Sequence, residues 1–177
     1  MKKKNKSLYI VQAAVIAALY VALTYVQEAL LPGTTSMAVQ FRASELLTVL
    51  ALYTPAAIPG LTFGCILANI MNSGVLPVDI IFGSLATFLA ALCMYKAKNI
   101  RIKKIPLLSL IMPAIFNGII IGWEIEVFFI EGSFHTLSFL TQAGLIALGE
   151  LGVLLILGIP FVLLIEKQSL DKRLFKL

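Results

Sequence analysis

The sequence predicts an all-α membrane protein: a bundle of six transmembrane helices with both termini in the cytoplasm. Three observations predict it. Of 177 residues, 60% are hydrophobic and 13% charged, at a mean hydropathy of +0.99, whereas a soluble domain carries about 25% charged residues. The apolar residues fall into six long segments separated by Pro, Gly and polar breaks. Thirteen of the fourteen Lys and Arg residues lie in the N-terminal tail, the loop after the fourth segment and the C-terminal tail, the parts that a six-span chain places in the cytoplasm.

In chain order, a basic tail over residues 1–6 leads into a first span over about 7–31, too long for a signal-peptide core. Pro32-Gly33-Thr34-Thr35-Ser36 breaks it. The second segment, about 38–53, is short for a span and is expected to begin below the membrane surface. Thr54 to Gly60, with Pro55 and Pro59, reads as a tight turn. The third segment covers about 55–71 and the fourth about 79–95, with Asp79 a candidate N-cap. A basic loop follows. The fifth covers about 105–130, where Pro113 should kink it, and the sixth about 139–165. The whole chain, 1–177, reads as one integral-membrane domain.

Several function classes drop out. No phosphate-binding glycine loop, nucleophile–base arrangement or metal-ligand spacing is present, so no enzyme activity, cofactor or metal is expected. His135 falls in a loop, and Cys65 and Cys93 lie inside apolar segments as packing thiols. The loops and tails account for the net charge of +5, so no nucleic-acid partner is needed.

The polar residues inside the spans carry the functional signal. A charge at the centre of a membrane helix costs about 2.5–3.5 kcal/mol on insertion scales, so a chain keeps one where it faces a cavity, pairs or binds. Arg42 and Glu45, three positions apart, share a helical face, with Gln40 and Phe41 just before them. Asn69 closes span three and Asp79 opens span four. Asn117 and Glu124, seven apart, share a face of span five. Glu126 lies about 200° round from Glu124, so Glu124 is the inward candidate and Glu126 the interfacial one. Glu150 stands between Gly149 and Gly152 in an apolar run of span six. Phe41 and Trp123 would either face lipid or stack on a ligand. With Glu28 and Glu126, these make six carboxylates converging on the outer half of the bundle against one arginine. That surplus favours a flat ligand that is cationic or rich in N–H donors. In span one, Ala14, Ala18 and Ala22 form a small-residue stripe suited either to close approach of another helix or to internal packing.

Together these motifs resemble the QueT family, the substrate-binding subunits of energy-coupling-factor importers for queuosine precursors. The similar stretches are Val39-Gln40-Phe41-Arg42 with Ser44-Glu45, Thr54 to Gly60, Gly64-Cys65 with Ala68-Asn69, Asp79-Ile80, Phe82 to Thr87, Phe116-Asn117 and Gly149-Glu150. The resemblance implies a six-helix subunit of a prokaryotic plasma membrane that binds a 7-deazaguanine from outside. It also implies a coupling membrane subunit and two ATPases as partners, with the alanine stripe as the docking surface. A deazaguanine offers a ring N–H and an exocyclic amine to one carboxylate, and an aminomethyl group to a second. Its carbonyl needs a donor such as Asn, Gln or Arg. The alternatives are a subunit of the same architecture for another vitamin, or a self-sufficient secondary transporter. The lack of an internal repeat argues against the latter.

Overall fold

The computed structural model describes residues 6–34, 41–71 and 77–175. Among them the regular elements are helical, and one isolated bridge joins Ile102 to Ile105. The helices are α1 (Lys6–Leu30), a 3-10 helix (Ala43–Leu52), α2 (Ala57–Met71), α3 (Pro77–Ala97), α4 (Leu107–Leu110) and α5 (Met112–Phe128). Then follow α6 (Thr136–Val153), a π-helical turn (Leu154–Gly158), α7 (Ile159–Lys167) and α8 (Leu170–Leu174). Four runs are long and apolar enough to cross a membrane: Lys6–Leu30, Pro77–Ala97, Leu107–Phe128 and Thr136–Lys167. The 3-10 helix and α2 are shorter apolar helices.

Where the element bounds differ from expectation, backbone chemistry gives the reason. The turn at Thr54 is shorter than the prolines suggest, because Pro59 falls in the first turn of α2, where a missing N–H breaks no helical bond. Asp79 is not an N-cap. It is the third residue of α3, which begins at Pro77. The break in the fifth segment lies at Ile111, with Pro113 in the first turn of α5. The last segment starts three residues early, at Thr136, and widens into a π turn ahead of Pro160. Proline cannot donate to the preceding turn, and the π turn absorbs that loss.

The second segment is a ten-residue 3-10 helix. At about 2.0 Å rise per residue it reaches roughly 20 Å, against roughly 15 Å for an α-helix of the same length. Its side chains from Ser44 to Leu52, Leu46 apart, are buried. The helix lies inside an arc of packed helices, α1 on α2, α2 on α3, α3 on α5 and α5 on α6, and touches α1, α2, α3, α6 and the π turn. Small residues set the closest approaches. A Cβ on Gly60 would lie 2.8 Å from the Ala13 carbonyl oxygen, and one on Gly64 2.7 Å from Tyr20 Cβ. Gly118 and Gly122 meet Ala143 of α6 in the same way.

The bundle has two unlike ends. At the basic end Gln12 Nε2 donates to the Leu174 carbonyl (2.8 Å), and Thr54 Oγ1 donates to Gln12 Oε1 (3.0 Å). There too Arg101 pairs with Glu166 at 2.5 Å, and Glu166 also accepts from Tyr53 Oη. A large apolar cluster including Leu47, Leu61, Met94, Leu110 and Val162 fills that half. The other half holds a smaller one of Ala86, Ile121 and Ile146. Between and beside them lie the buried carboxyls.

Candidate functional site

The site draws on six elements, the 3-10 helix with α1, α2, α3, α5 and α6. Two extended residues, Phe41 and Arg42, lead into that helix, and Gln27 of α1 fixes them. Its Nε2 donates to the Phe41 carbonyl and to Thr34 Oγ1, and its Oε1 accepts from the Ala43 N–H at 2.6 Å. The Phe41 N–H donates to the Thr34 carbonyl, so the chain is pinned on both sides of Arg42. Gln27 carries no charge and ends an apolar helix, so nothing in the sequence marked it as a clamp.

One layer of polar groups lies near mid-depth. Tyr20 Oη donates to Glu45 Oε1 at 2.7 Å, and Asn117 Nδ2 donates to Glu150 Oε1 at 2.9 Å. Glu45 and Glu150 are each 1% exposed, and the second oxygen of each has no hydrogen-bond donor among the described residues. The two carboxyls lie within electrostatic range of one another, and Arg42 lies within range of both. Cys65 and Thr87 border the same layer, so the Cys65 thiol touches polar neighbours as well as packing. Glu150 is the fifteenth residue of the 32-residue run from Thr136 to Lys167. It therefore falls just inside the first half of that run, close to its middle. Tyr20, the partner the sequence reading missed, looked like one more apolar residue of α1.

A second layer lies nearer the carboxylate end. Glu124 is fully buried, and neither of its oxygens receives a donor among the described residues. Its neighbour is the carboxyl of Asp79 across the α3–α5 contact. Asn69 Nδ2 donates to the backbone carbonyl of Asp79 at 3.1 Å, so Asn69 ties α2 to the first turn of α3. Seven residues, or roughly 10 Å of helix, separate Asn117 from Glu124 along α5.

The remaining candidates fall outside this core. Gln40 lies outside the described residues. Phe41 is 39% exposed, at the edge of the site. Trp123 does not join the carboxyls. It shares the outward stripe of Ile115, Ile119 and Val127, and its ring packs on Phe82 and Phe128. Glu126 is buried rather than wet, because the loop after α5 folds over it and the His135 N–H donates to it at 2.8 Å, at the start of α6. A carboxylate suits a helix N-terminus. Cys65 and Cys93 are unbridged, and among the described residues no cluster of His, Cys, Asp or Glu could hold a metal. Ala14, Ala18 and Ala22 face outward from α1, while Ala13 and Ala17 face Gly60 and Gly64 of α2.

A family model described as QueT transporter matches residues 10–167, which takes in every element of the site. The chain belongs to the QueT family. QueT is a transporter family rather than an enzyme class, and with several membrane-crossing helices the chain is a multi-pass membrane protein. Over 88 residues the chain is 38% identical to a queuosine precursor transporter QueT of Lactococcus lactis subsp. cremoris (strain MG1363), a stretch covering 48% of this chain and 48% of that relative. The match therefore spans about half the length of that relative. No solved structure matches the chain.

Proposed function

We propose that this QueT protein is the substrate-specificity subunit of an energy-coupling-factor importer, binding a 7-deazaguanine queuosine precursor for ATP-driven uptake. The observation that carries the reading is the buried group of Glu45, Glu150 and Asn117 beside Arg42, in a chain of this family. A deazaguanine presents a donor edge and a carbonyl side by side. The unpartnered oxygens of Glu45 and Glu150 suit the ring N–H and exocyclic amine, while Arg42 or Asn117 suits the carbonyl. The queuosine-precursor activity named for the Lactococcus relative gives the substrate class.

In this reading the 3-10 helix and α2 complete six spans, and the basic end faces the cytoplasm, which places both termini there. The site then opens outward. The chain has no phosphate loop, so ATP is used by two partner ATPases acting through a coupling membrane subunit, which docks on Ala14, Ala18 and Ala22.

Mass spectrometry of the ligand that co-purifies with the protein tests the reading directly. A 7-deazaguanine is expected, and adding it should raise the unfolding temperature, while thiamine or a pyrimidine should not. Stabilisation by thiamine alone would replace this substrate class with another. Uptake by vesicles holding this protein alone, as fast as with the full complex, would favour a secondary transporter instead.

A further inference from the structure

We propose that Ser44 is a ligand-contacting residue of this site, its hydroxyl reading the edge of a 7-deazaguanine where a pyrrole N–H stands beside a ring-nitrogen acceptor. This rests on the substrate class proposed above and assigns the edge that the carboxyls, Arg42 and Asn117 leave unread. Its consequence is selection of the free base over forms substituted at the pyrrole nitrogen.

The starting observation is an exception. Ser44 is 1% exposed, and its Oγ has no hydrogen-bond partner among the described residues. The other buried hydroxyls of those residues, on Tyr20, Thr48, Thr54, Thr87 and Ser109, all donate. A hydroxyl sealed in an apolar interior without a partner is costly. The fold bonds the rest and leaves this one.

The local backbone shows why it is left. Thr48, in the same 3-10 helix, turns its hydroxyl back onto the carbonyl three residues earlier, that of Glu45, at 2.6 Å. The equivalent acceptor for Ser44 is the Phe41 carbonyl. Gln27 Nε2 already donates to that oxygen, and Gln27 Oε1 holds the Ala43 N–H at 2.6 Å. The clamp from α1 thus occupies the acceptor on which the Ser44 hydroxyl would otherwise turn, and it fixes the backbone just ahead of it. Ser44 is left buried and unbonded, one residue from Glu45, whose Oε2 is in the same condition.

The chemistry of the ligand supplies the match. With the ring N–H and exocyclic amine on the Glu45 and Glu150 oxygens, and the carbonyl on Arg42 or Asn117, a 7-deazaguanine ring keeps one polar edge. That edge offers one donor, the pyrrole N–H, and one acceptor, the neighbouring pyrimidine nitrogen. A carboxylate suits only the first and a guanidinium only the second, whereas a hydroxyl donates and accepts at once. A substituent on the pyrrole nitrogen removes the donor and fills the space beside it.

Titration calorimetry on the purified full chain tests this with 7-aminomethyl-7-deazaguanine and its 9-methyl derivative, beside thermal unfolding of the ligand-free protein. Ser44→Ala should lower affinity for the free base roughly tenfold. The unfolding temperature of the ligand-free variant should stay at or above that of the wild type, because the group removed makes no bond. The wild type should prefer the free base over the methyl derivative, and Ser44→Ala should move that ratio toward unity. Wild-type affinity in Ser44→Ala, or a ratio that the substitution leaves unchanged, overturns the assignment. A variant that loses stability or fails to fold also overturns it, since the hydroxyl would then serve the protein's own structure. If the wild type binds neither ligand, the deazaguanine reading itself fails, an outcome distinct from wild-type binding that Ser44→Ala does not disturb.

Discussion

Tyr20 Oη donates a 2.7 Å hydrogen bond to Glu45 Oε1, joining the middle of α1 to the start of the 3-10 helix inside the bundle. Both residues are buried, at 2% and 1% exposure, so the bond has no competition from water. Tyr20→Phe removes the donor and keeps the ring. The loss should be about 1–3 kcal/mol of stability, since a buried acceptor is left without its partner. Ligand affinity should fall as well, because Glu45 is then free to turn. Denaturant unfolding in detergent beside calorimetry checks both, and a variant with unchanged stability and affinity would show that the bond matters to neither.

The Asn117–Glu150 pair predicts a different pattern. Glu150→Gln keeps the shape of the side chain but removes its charge and one acceptor. Its amide can still accept from Asn117, so folding should survive. Affinity for a donor-rich ligand should drop roughly tenfold or more, as expected for a lost charge-assisted bond. Wild-type affinity with an intact fold would remove Glu150 from the site.

How much of this was legible in the sequence follows from the range over which each signal acts. Asn117 with Glu124 is a pair within one segment, and helical spacing alone places both on a shared face of α5; Arg42 and Glu45 do not share a helical face as expected, because Arg42 is extended ahead of the 3-10 helix. Glu126 was separated from Glu124 by the same arithmetic, but its burial depends on a loop that folds back to put the His135 N–H against it. Tyr20 and Gln27 bond across to a different element, and no periodicity within α1 reveals a partner on another element. The 3-10 form of Ala43–Leu52 was hidden for a related reason. An α-helix and a 3-10 helix of ten mostly apolar residues look alike until the packing around all of their faces is known. The outward position of Trp123 could have been read, since Ile115, Ile119, Trp123 and Val127 repeat every four residues along one stripe.

Gly64 offers a test of the packing beneath the site. A Cβ there would stand 2.7 Å from Tyr20 Cβ and 3.1 Å from the Ala17 carbonyl oxygen. Gly64→Val should push α1 away from α2 and cost about 1–3 kcal/mol through overpacking. Because the clash falls on Tyr20, ligand affinity should fall with stability. At Gly144, by comparison, an added Cβ meets nothing within 4 Å, so Gly144→Val should leave both near wild type. Equal effects at the two positions would mean that the close approach of α1 and α2 is not what seats Tyr20.

The last prediction separates the two faces of α1. Ala18 is exposed between Ala14 and Ala22, whereas Ala17 is buried beside Gly64. If the outward stripe docks a coupling subunit, Ala18→Trp should keep ligand affinity and thermal stability and yet fail to co-purify with the coupling complex. The physical reason is spacing. Without a hydrophobic driving force between helices in lipid, association depends on close packing of small residues, and an indole ring holds the partner helix away. Ala17→Trp places the same ring against the α2 backbone and should instead destabilise the fold, with binding lost as a consequence. The matched pair thus uses one substitution at neighbouring positions to read two different losses. An Ala18→Trp protein that assembles normally with the coupling complex would move the docking surface elsewhere, and one that loses its fold would turn the stripe back into internal packing.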